Sequence, residues 1–173
     1  MPSQNPLGAL IDIIPVILPL DLQTARSGDY ISLKNAAGIL FVVIKGVGTD
    51  GDDLTLTLRQ ATAVAGTGVK DLAVISEYWE KEAATDLTGT GVWTRVTQTA
   101  AATIAPGDPS AQSAALYAFY VDADTLDVDG GFDCVVVNIA DTGTNAQLGA
   151  VIGILCGLRH QAAPQNLPNA IID

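Results

Sequence analysis

The sequence predicts an all-β protein: a β-sandwich with a jelly-roll or Greek-key-like topology and extended N- and C-terminal arms. Three observations predict it, namely the composition, the short apolar segments, and the turn residues between them. Hydrophobic residues make up 49% of the 173 residues, aromatic residues only 5%, and there are 17 glycines. Apolar content carried by Ala, Val, Ile and Leu, together with abundant Gly and Thr, is typical of strands and turns. A chain of this length fits one domain with a sizeable core.

The first 22 residues, MPSQNPLGALIDIIPVILPLDL, form the most hydrophobic segment. Pro15 and Pro19 exclude a regular helix, and the apolar run is shorter than the ~20 residues that a membrane-spanning helix needs. The segment lacks a basic leader and a small-residue cleavage site, which disfavours a secretory signal. We therefore interpret residues 1–22 as an extended arm.

Two alternatives remain open for where this arm docks. It lies on a neighbouring subunit, or it is the first strand of its own sandwich with proline at an edge. In the first alternative its apolar side chains form an interface. These side chains are Leu7, Leu10, Ile11, Ile13, Ile14, Val16, Ile17, Leu18 and Leu20.

Turn residues divide the following part of the chain into about eight predicted strands. The clearest covers residues 54–59, where leucine alternates with threonine and arginine, the period-two pattern of a strand with one wet face. Residues 70–81 are predicted as a strand that exposes its glutamates, with a helix over 71–84 as the alternative. Turns are expected at 89–91 and 107–109. The predicted strands are 30–33, 39–46, 54–59, 70–81, 92–100, 115–121, 134–140 and 148–158.

The last two predicted strands are interpreted as a hairpin around the polar turn at 141–145. Both are so apolar that other parts of the chain must cover them. Each contains one cysteine, Cys134 or Cys156. A cross-strand disulfide remains an alternative, but the apolar flanks favour two free thiols. Residues 161–173 are interpreted as an extended tail, so the sandwich domain spans residues 23–160.

The charge of the chain restricts its partners. The net charge is −11, and the eight basic residues are scattered singly, whereas nucleic-acid binding needs clustered Lys and Arg. We therefore expect no nucleic-acid partner, and no membrane partner. Only 16% of the residues are charged, which suggests that part of the surface contacts protein.

No motif predicts catalysis, a cofactor or a metal. His160 is the only histidine, and no nucleophile motif accompanies it, so a hydrolase centred on His160 is the least favoured alternative. The candidates for Ca²⁺ in the acidic turn fail the EF-hand template, and Asp side chains in such turns commonly cap backbone N–H groups. A second acidic group lies at residues 50–53. The candidates in the acidic turn are Asp122, Asp124, Asp127 and Asp129.

Two long blocks carry a resemblance to a known family. The run LDVDGGFDCVVVNIADTGTNAQLGAVIGILCGLRHQ, residues 126–161, resembles small virion proteins of tailed bacteriophages. The run GDYISLKNAAGILFVVIKGVGTDGDDLTLTLRQATAVAGTG, residues 28–68, resembles the other recognisable block of that family. Together the blocks cover roughly half of the chain. The pair Arg159-His160 departs from the aromatic residue expected after the late arginine.

The resemblance implies a capsid cement or decoration protein of the virion. Such a protein is made in the host cytoplasm, binds the outer capsid surface as a homo-oligomer and stabilises joints between major capsid subunits. Its partners are then the major capsid protein and itself, with a homotrimer favoured by threefold positions and a dimer second. The alternative is an exposed virion adhesin or carbohydrate-binding module that uses Tyr117, Tyr120 or Trp93.

Overall fold

The computed structural model describes residues 6–83, 92–106 and 112–172, so the turns expected at 89–91 and 107–109 lie outside the described residues. Within them the chain forms twelve β-strands, two turns of 3₁₀ helix at Ala123–Thr125 and Pro164–Asn166, and no α-helix. The all-β prediction is confirmed. The strands are β1 (Ile11–Asp21), β2 (Arg26–Ser27), β3 (Ile31–Ser32), β4 (Gly38–Lys45), β5 (Leu56–Ala61), β6 (Lys70–Asp71), β7 (Ile75–Ala83), β8 (Thr94–Ala101), β9 (Thr103–Ile104), β10 (Ala114–Asp122), β11 (Cys134–Ile139) and β12 (Leu148–Cys156).

The strands form two antiparallel sheets with jelly-roll pairing. One sheet has the order β1-β12-β4-β10-β7-β8, and the other has the order β2-β11-β5-β6, with β3 added on β11 and β9 on β5. The first strand pairs with the last (β1 with β12), and β2 and β3 pair with β11, β4 with β10, and β5 with β6. This nested pairing is that of a jelly roll. The β7–β8 hairpin extends the six-stranded sheet beyond β10.

The predicted hairpin of the last two strands is wrong. β11 lies in one sheet and β12 in the other, so the connection at residues 140–147 is an arch across the sandwich. The arch is held by the buried Asp52 carboxylate, which accepts hydrogen bonds from the backbone N–H and the side-chain amide of Asn145, both at 3.0 Å. These hydrogen bonds lower the pKa of Asp52. Gly143 has a φ of 134° and leaves no room for a Cβ beside Asp52.

The inner faces of the two sheets meet in one hydrophobic core. On β4 the inward residues Ile39, Phe41 and Val43 are fully buried, and the Phe41 ring packs on Phe119 of β10 with 5.3 Å between ring centroids. Gly153 of β12 faces the same core, where an added Cβ would come within 2.8 Å of the Ile39 side chain. The absence of a side chain at Gly153 therefore lets the surrounding side chains pack closely.

The N-terminal segment follows the second of its two alternatives. β1 is the edge strand of the six-stranded sheet and pairs with β12 along its length, with register shifts between Pro15 and Leu20. Its prolines lie at an edge, where their missing N–H groups cost no ladder hydrogen bond. The segment expected to be an arm thus contains a strand of the protein's own sandwich.

The C-terminal segment also contacts its own chain. The Ala162 N–H donates to the Gly8 carbonyl at 3.1 Å, and the Ser32 N–H donates to the Ala170 carbonyl at 2.7 Å. Ala170 is 7% exposed and belongs to the core cluster. The tail has little regular structure, as expected, but residues 162–170 lie against the sandwich.

The strand predicted at residues 70–81 is two strands in different sheets, β6 and β7, and the helical alternative does not form. Its glutamates were expected to be exposed, but Glu80 and Glu82 are only partly exposed. Glu80 and Glu82 lie on the same face of β7 as the buried Tyr78. Glu82 accepts a hydrogen bond from the Tyr117 hydroxyl at 3.0 Å. The period-two pattern turns these glutamates toward the end of the core.

We expect the native protein to expose one reactive thiol. Both cysteines are free; Cys134 is fully buried, whereas Cys156 is partly exposed. An aromatic disulfide reagent should therefore modify one cysteine in the folded protein and two after unfolding without reductant. Fewer than two thiols in the unfolded chain would reveal a disulfide and contradict the placement of the cysteines in different sheets.

Candidate interaction surface

The outer face of the six-stranded sheet is apolar over four adjacent strands. On β4 burial alternates: Ile39, Phe41 and Val43 face the core, so Leu40, Val42 and Ile44 face outward. The neighbouring strands β1, β12 and β10 follow the same rule. We call this surface the outer face; its members are Ile11, Ile13, Pro15, Leu40, Val42, Ile44, Leu116, Ala118, Tyr120, Ala150, Ile152, Ile154 and Cys156.

The strand register brings these side chains into continuous rows. One row runs Ile13, Ile154, Leu40 and Tyr120 across β1, β12, β4 and β10. The next row runs Pro15, Ile152, Val42 and Ala118 and reaches Trp79 on β7. Four strands at ~4.8 Å and five residues at ~3.3 Å give a surface of roughly 300 Å² in projection. Apolar patches of this size on soluble proteins are often functional.

The second sheet shows the pattern expected of a sandwich surface in water. Its outward residues are mostly polar, and they satisfy one another. The Arg59 guanidinium contacts the Asp71 carboxylate at 2.8 Å, and the Ser27 hydroxyl contacts the Asn138 side-chain oxygen at 3.0 Å. The contrast between the two sheets identifies the outer face as the unusual surface of the molecule.

Charge appears only at the margins of the outer face. Glu77 on β7 forms an ion pair with Arg95 on β8, and Asp122 lies at the end of β10. The Lys81 ammonium lies 4.8 Å from the centre of the Trp93 ring. The net charge of −11 is therefore carried outside the apolar rows.

The structure divides the nine apolar residues of the N-terminal segment between core and surface. Ile14, Val16 and Ile17 are buried in the protein's own core and are not accessible to a neighbour. Ile13 belongs to the outer face and is 49% exposed, and Leu18 is 65% exposed. Leu10 is 61% exposed, and Leu7, Ile11 and Leu20 are partly exposed.

The acidic turn is organised by its own hydrogen bonds and ion pairs. Asp122 accepts a hydrogen bond from the Asp124 N–H at 3.0 Å and so caps the 3₁₀ turn. Asp127 accepts from the Gly130 N–H at 3.0 Å and pairs with Lys70, and these contacts lower its pKa. Among the described residues, no group of three or more His, Cys, Asp or Glu side chains has an arrangement that could hold a metal ion.

The remaining sequence candidates do not converge on one site. His160 is exposed, and its backbone is hydrogen-bonded on both sides to the Asn35 side chain. Of the three aromatic candidates, Tyr117 is fully buried, whereas Tyr120 and Trp93 are 49% and 42% exposed. Trp93 lies four residues along the sheet from Tyr120, at the level of Leu116 rather than of Tyr120. The two exposed rings therefore form no common platform.

Two features of the structure were not predicted from the sequence: the outer face and a buried cation. The signal for the outer face was present, because the runs 39–44 and 148–156 are apolar without alternation, but we interpreted such runs as strands covered on both sides. The buried cation is Lys45, which is 2% exposed. Its ammonium donates to the carbonyl oxygens of Ser113 at 2.5 Å and Gly46 at 3.1 Å.

Burial lowers the pKa of Lys45 to about 8, although the Glu82 and Asp53 carboxylates favour its charged form. Desolvation is the dominant influence because the lysine ends an inward row of β4. At this end of the sandwich the Lys45 ammonium binds two carbonyl oxygens. Lys45 faces inward and is not part of the outer face.

No protein-family model and no curated protein matches the sequence. Among solved structures, the chain is similar to the SPBc2 prophage-derived protein YomS, with a TM-score of 0.40 and 9% identity over 84% of this chain and 94% of that one. It is also similar to the infectious bursal disease virus Gt strain and the infectious bursal disease virus VP2 subviral particle, at TM-scores of 0.20 and 0.22 and 13% identity. Those matches cover 92% and 94% of this chain but 44% of each of those chains. Likenesses at this level assign neither a family nor a function.

In the part of the chain that the structure describes, no helix is long and apolar enough to cross a membrane.

We expect Lys45 to make stability rise with pH above neutrality. The unfolded chain keeps the Lys45 proton up to about pH 10.5, whereas the folded protein loses it near pH 8. Between these values the unfolded state binds more protons, so the free energy of unfolding increases by up to about 3 kcal/mol as pH rises through this window.

Urea unfolding of the wild type and of the Lys45→Met variant at pH 7 and pH 10.5 measures this effect. The stability of the wild type relative to the variant should increase at the higher pH. Parallel pH profiles for the two proteins would contradict a depressed lysine pKa.

Proposed function

We propose that the protein is a structural component of tailed-phage heads, a decoration protein that binds the outer surface of the shell as a homo-oligomer. It stabilises joints between major capsid subunits. The observation that carries this proposal is the outer face, a sheet surface of apolar rows that water would otherwise cover. Extended contact with another protein is the use that such a surface fits best.

The resemblance to phage virion proteins supports the same proposal, because it includes the strands that form the outer face. Its two blocks, residues 28–68 and 126–161, contain β4 and β12, the central strands of the outer face. The net charge of −11 supports a position on the outside of the shell, because an acidic protein is repelled by packaged DNA.

Such a protein acts by mass action rather than by chemistry. A ligand that binds only the assembled, expanded shell stabilises it by RT ln(1 + [L]/Kd), which is about 2.7 kcal/mol per site at one hundred times Kd.

The outer face should determine binding to heads. Val42 lies at its centre, and the Val42→Glu variant places a charge where binding would desolvate it. We expect co-sedimentation with empty expanded heads of the encoding phage to weaken at least about tenfold, equivalent to 1.4 kcal/mol. Alkylation of Cys156 in the wild type should slow on binding, because this thiol lies on the same face.

The matched control is Thr57→Glu, which places the same charge on the polar surface of the second sheet. It should bind heads like the wild type. Equal binding by the Val42→Glu variant, with Cys156 still reactive in the bound state, would rule out the outer face as the contact.

One observation favours a second candidate function, carbohydrate binding. Trp79 and Tyr120 line a shallow depression of about 330 Å³ with Glu77 beside them, and aromatic faces next to a carboxylate suit a sugar ring. Glycan-array binding that is lost in the Trp79→Ala variant, together with no affinity for heads, would favour this alternative.

A further inference from the structure

The β8 strand is an open edge in a molecule whose other described edges are short or interrupted. β1, at the opposite edge of the same sheet, carries Pro15 and Pro19 and two register shifts, and its Val16 carbonyl already accepts a hydrogen bond from the Asp29 N–H. The edge strands of the second sheet are only two residues long. Short strands, prolines and bulges are the usual protection of sheet edges against pairing.

Among the described residues β8 is neither short nor interrupted by proline, although its pairing with β7 has one register shift, between Ile75 and Glu77. It is eight residues long, contains no proline, and pairs only with β7. Five of its eight residues are exposed, while Val96 packs against the core from the inner face. An edge strand with one row of backbone groups open to water is a template for an added strand.

The charge of this edge favours a second copy of the chain as the added strand. The protein carries 19 acidic residues, yet residues 92–106 contain none, and Arg95 is their only charge. Two molecules with a net charge of −11 repel each other generally, and β8 brings no acidic side chain of its own to a contact between them. Arg95 is itself neutralised by Glu77.

The sequence of β8 is compatible with antiparallel pairing to itself. A twofold axis at Thr97 places Arg95 opposite Thr99 of the partner subunit, and an axis at Gln98 places Thr97 opposite the partner's Thr99. Neither register sets like charges against each other, and threonine pairs across strands are favourable. We propose that two copies of the chain pair through β8 to form a homodimer with one continuous sheet across the twofold axis.

This dimer corresponds to the second of the two oligomers expected from the sequence. The pairing leaves both outer faces open, with the β7–β8 hairpins of the two copies between them. It does not require binding to heads, and it can therefore be tested separately from the proposed function.

A charge exchange at Thr97 tests the pairing. Light scattering after size exclusion should give twice the mass of one chain for the wild type. The Thr97→Glu and Thr97→Lys variants should each be monomeric, because either register brings the two like charges close together, and a one-to-one mixture of the variants should recover the dimer. Recovery on mixing also shows that both variants are folded.

The control variants are Thr57→Glu, with the same change in a paired strand, and Val42→Glu, on the outer face. Both should remain dimeric, and loss of head binding by a dimeric Val42→Glu protein separates the two proposals. A monomeric or trimeric wild type, a dimer that survives both Thr97 variants, or a dimer broken only by Val42→Glu would overturn pairing through β8.

Discussion

Four strands of the six-stranded sheet, β1, β12, β4 and β10, are apolar on both faces, whereas the second sheet covers only one of these faces. On the inner side Ile39 and Phe41 are fully buried, and on the outer side Leu40, Val42 and Ile152 remain partly exposed. Covering the exposed part of this apolar surface is worth about 25 cal/mol per Å² removed from water, before the costs of association. The fold therefore completes its core and still leaves apolar surface exposed that contact with another protein would bury.

The jelly-roll pairing explains why the proposed contact surface is a sheet face rather than a pair of free arms. Because β1 pairs with β12, much of the apolar N-terminal segment is used inside the protein, and the C-terminal segment packs back through Ala170. Charged residues are absent from the apolar rows of the outer face, whereas the outer surface of the second sheet carries the pair of Arg59 and Asp71. What remains for association is the outer face and the edge of its sheet at β8.

Local pattern was enough to find many of the strands but not their partners. β4, β5 and β10 begin and end within about two residues of the predicted segments, because alternation and turn residues are local signals. The hairpin of β11 and β12 was wrong because a short polar connection looks the same whether it turns back within a sheet or arches between sheets. The burial of Lys45 was likewise invisible, since it depends on Ser113, far away in the chain. Both errors concern nonlocal contacts, which the jelly roll uses throughout.

The most direct measurement of the central claim is an electron cryomicroscopy map of the intact head that resolves side chains of this protein. In this map Leu40, Val42, Ile152 and Ile154 should lie against another protein chain, with the second sheet turned toward solvent. A map in which the protein is attached by its second sheet, with the apolar rows of β4 and β12 facing water, would contradict it.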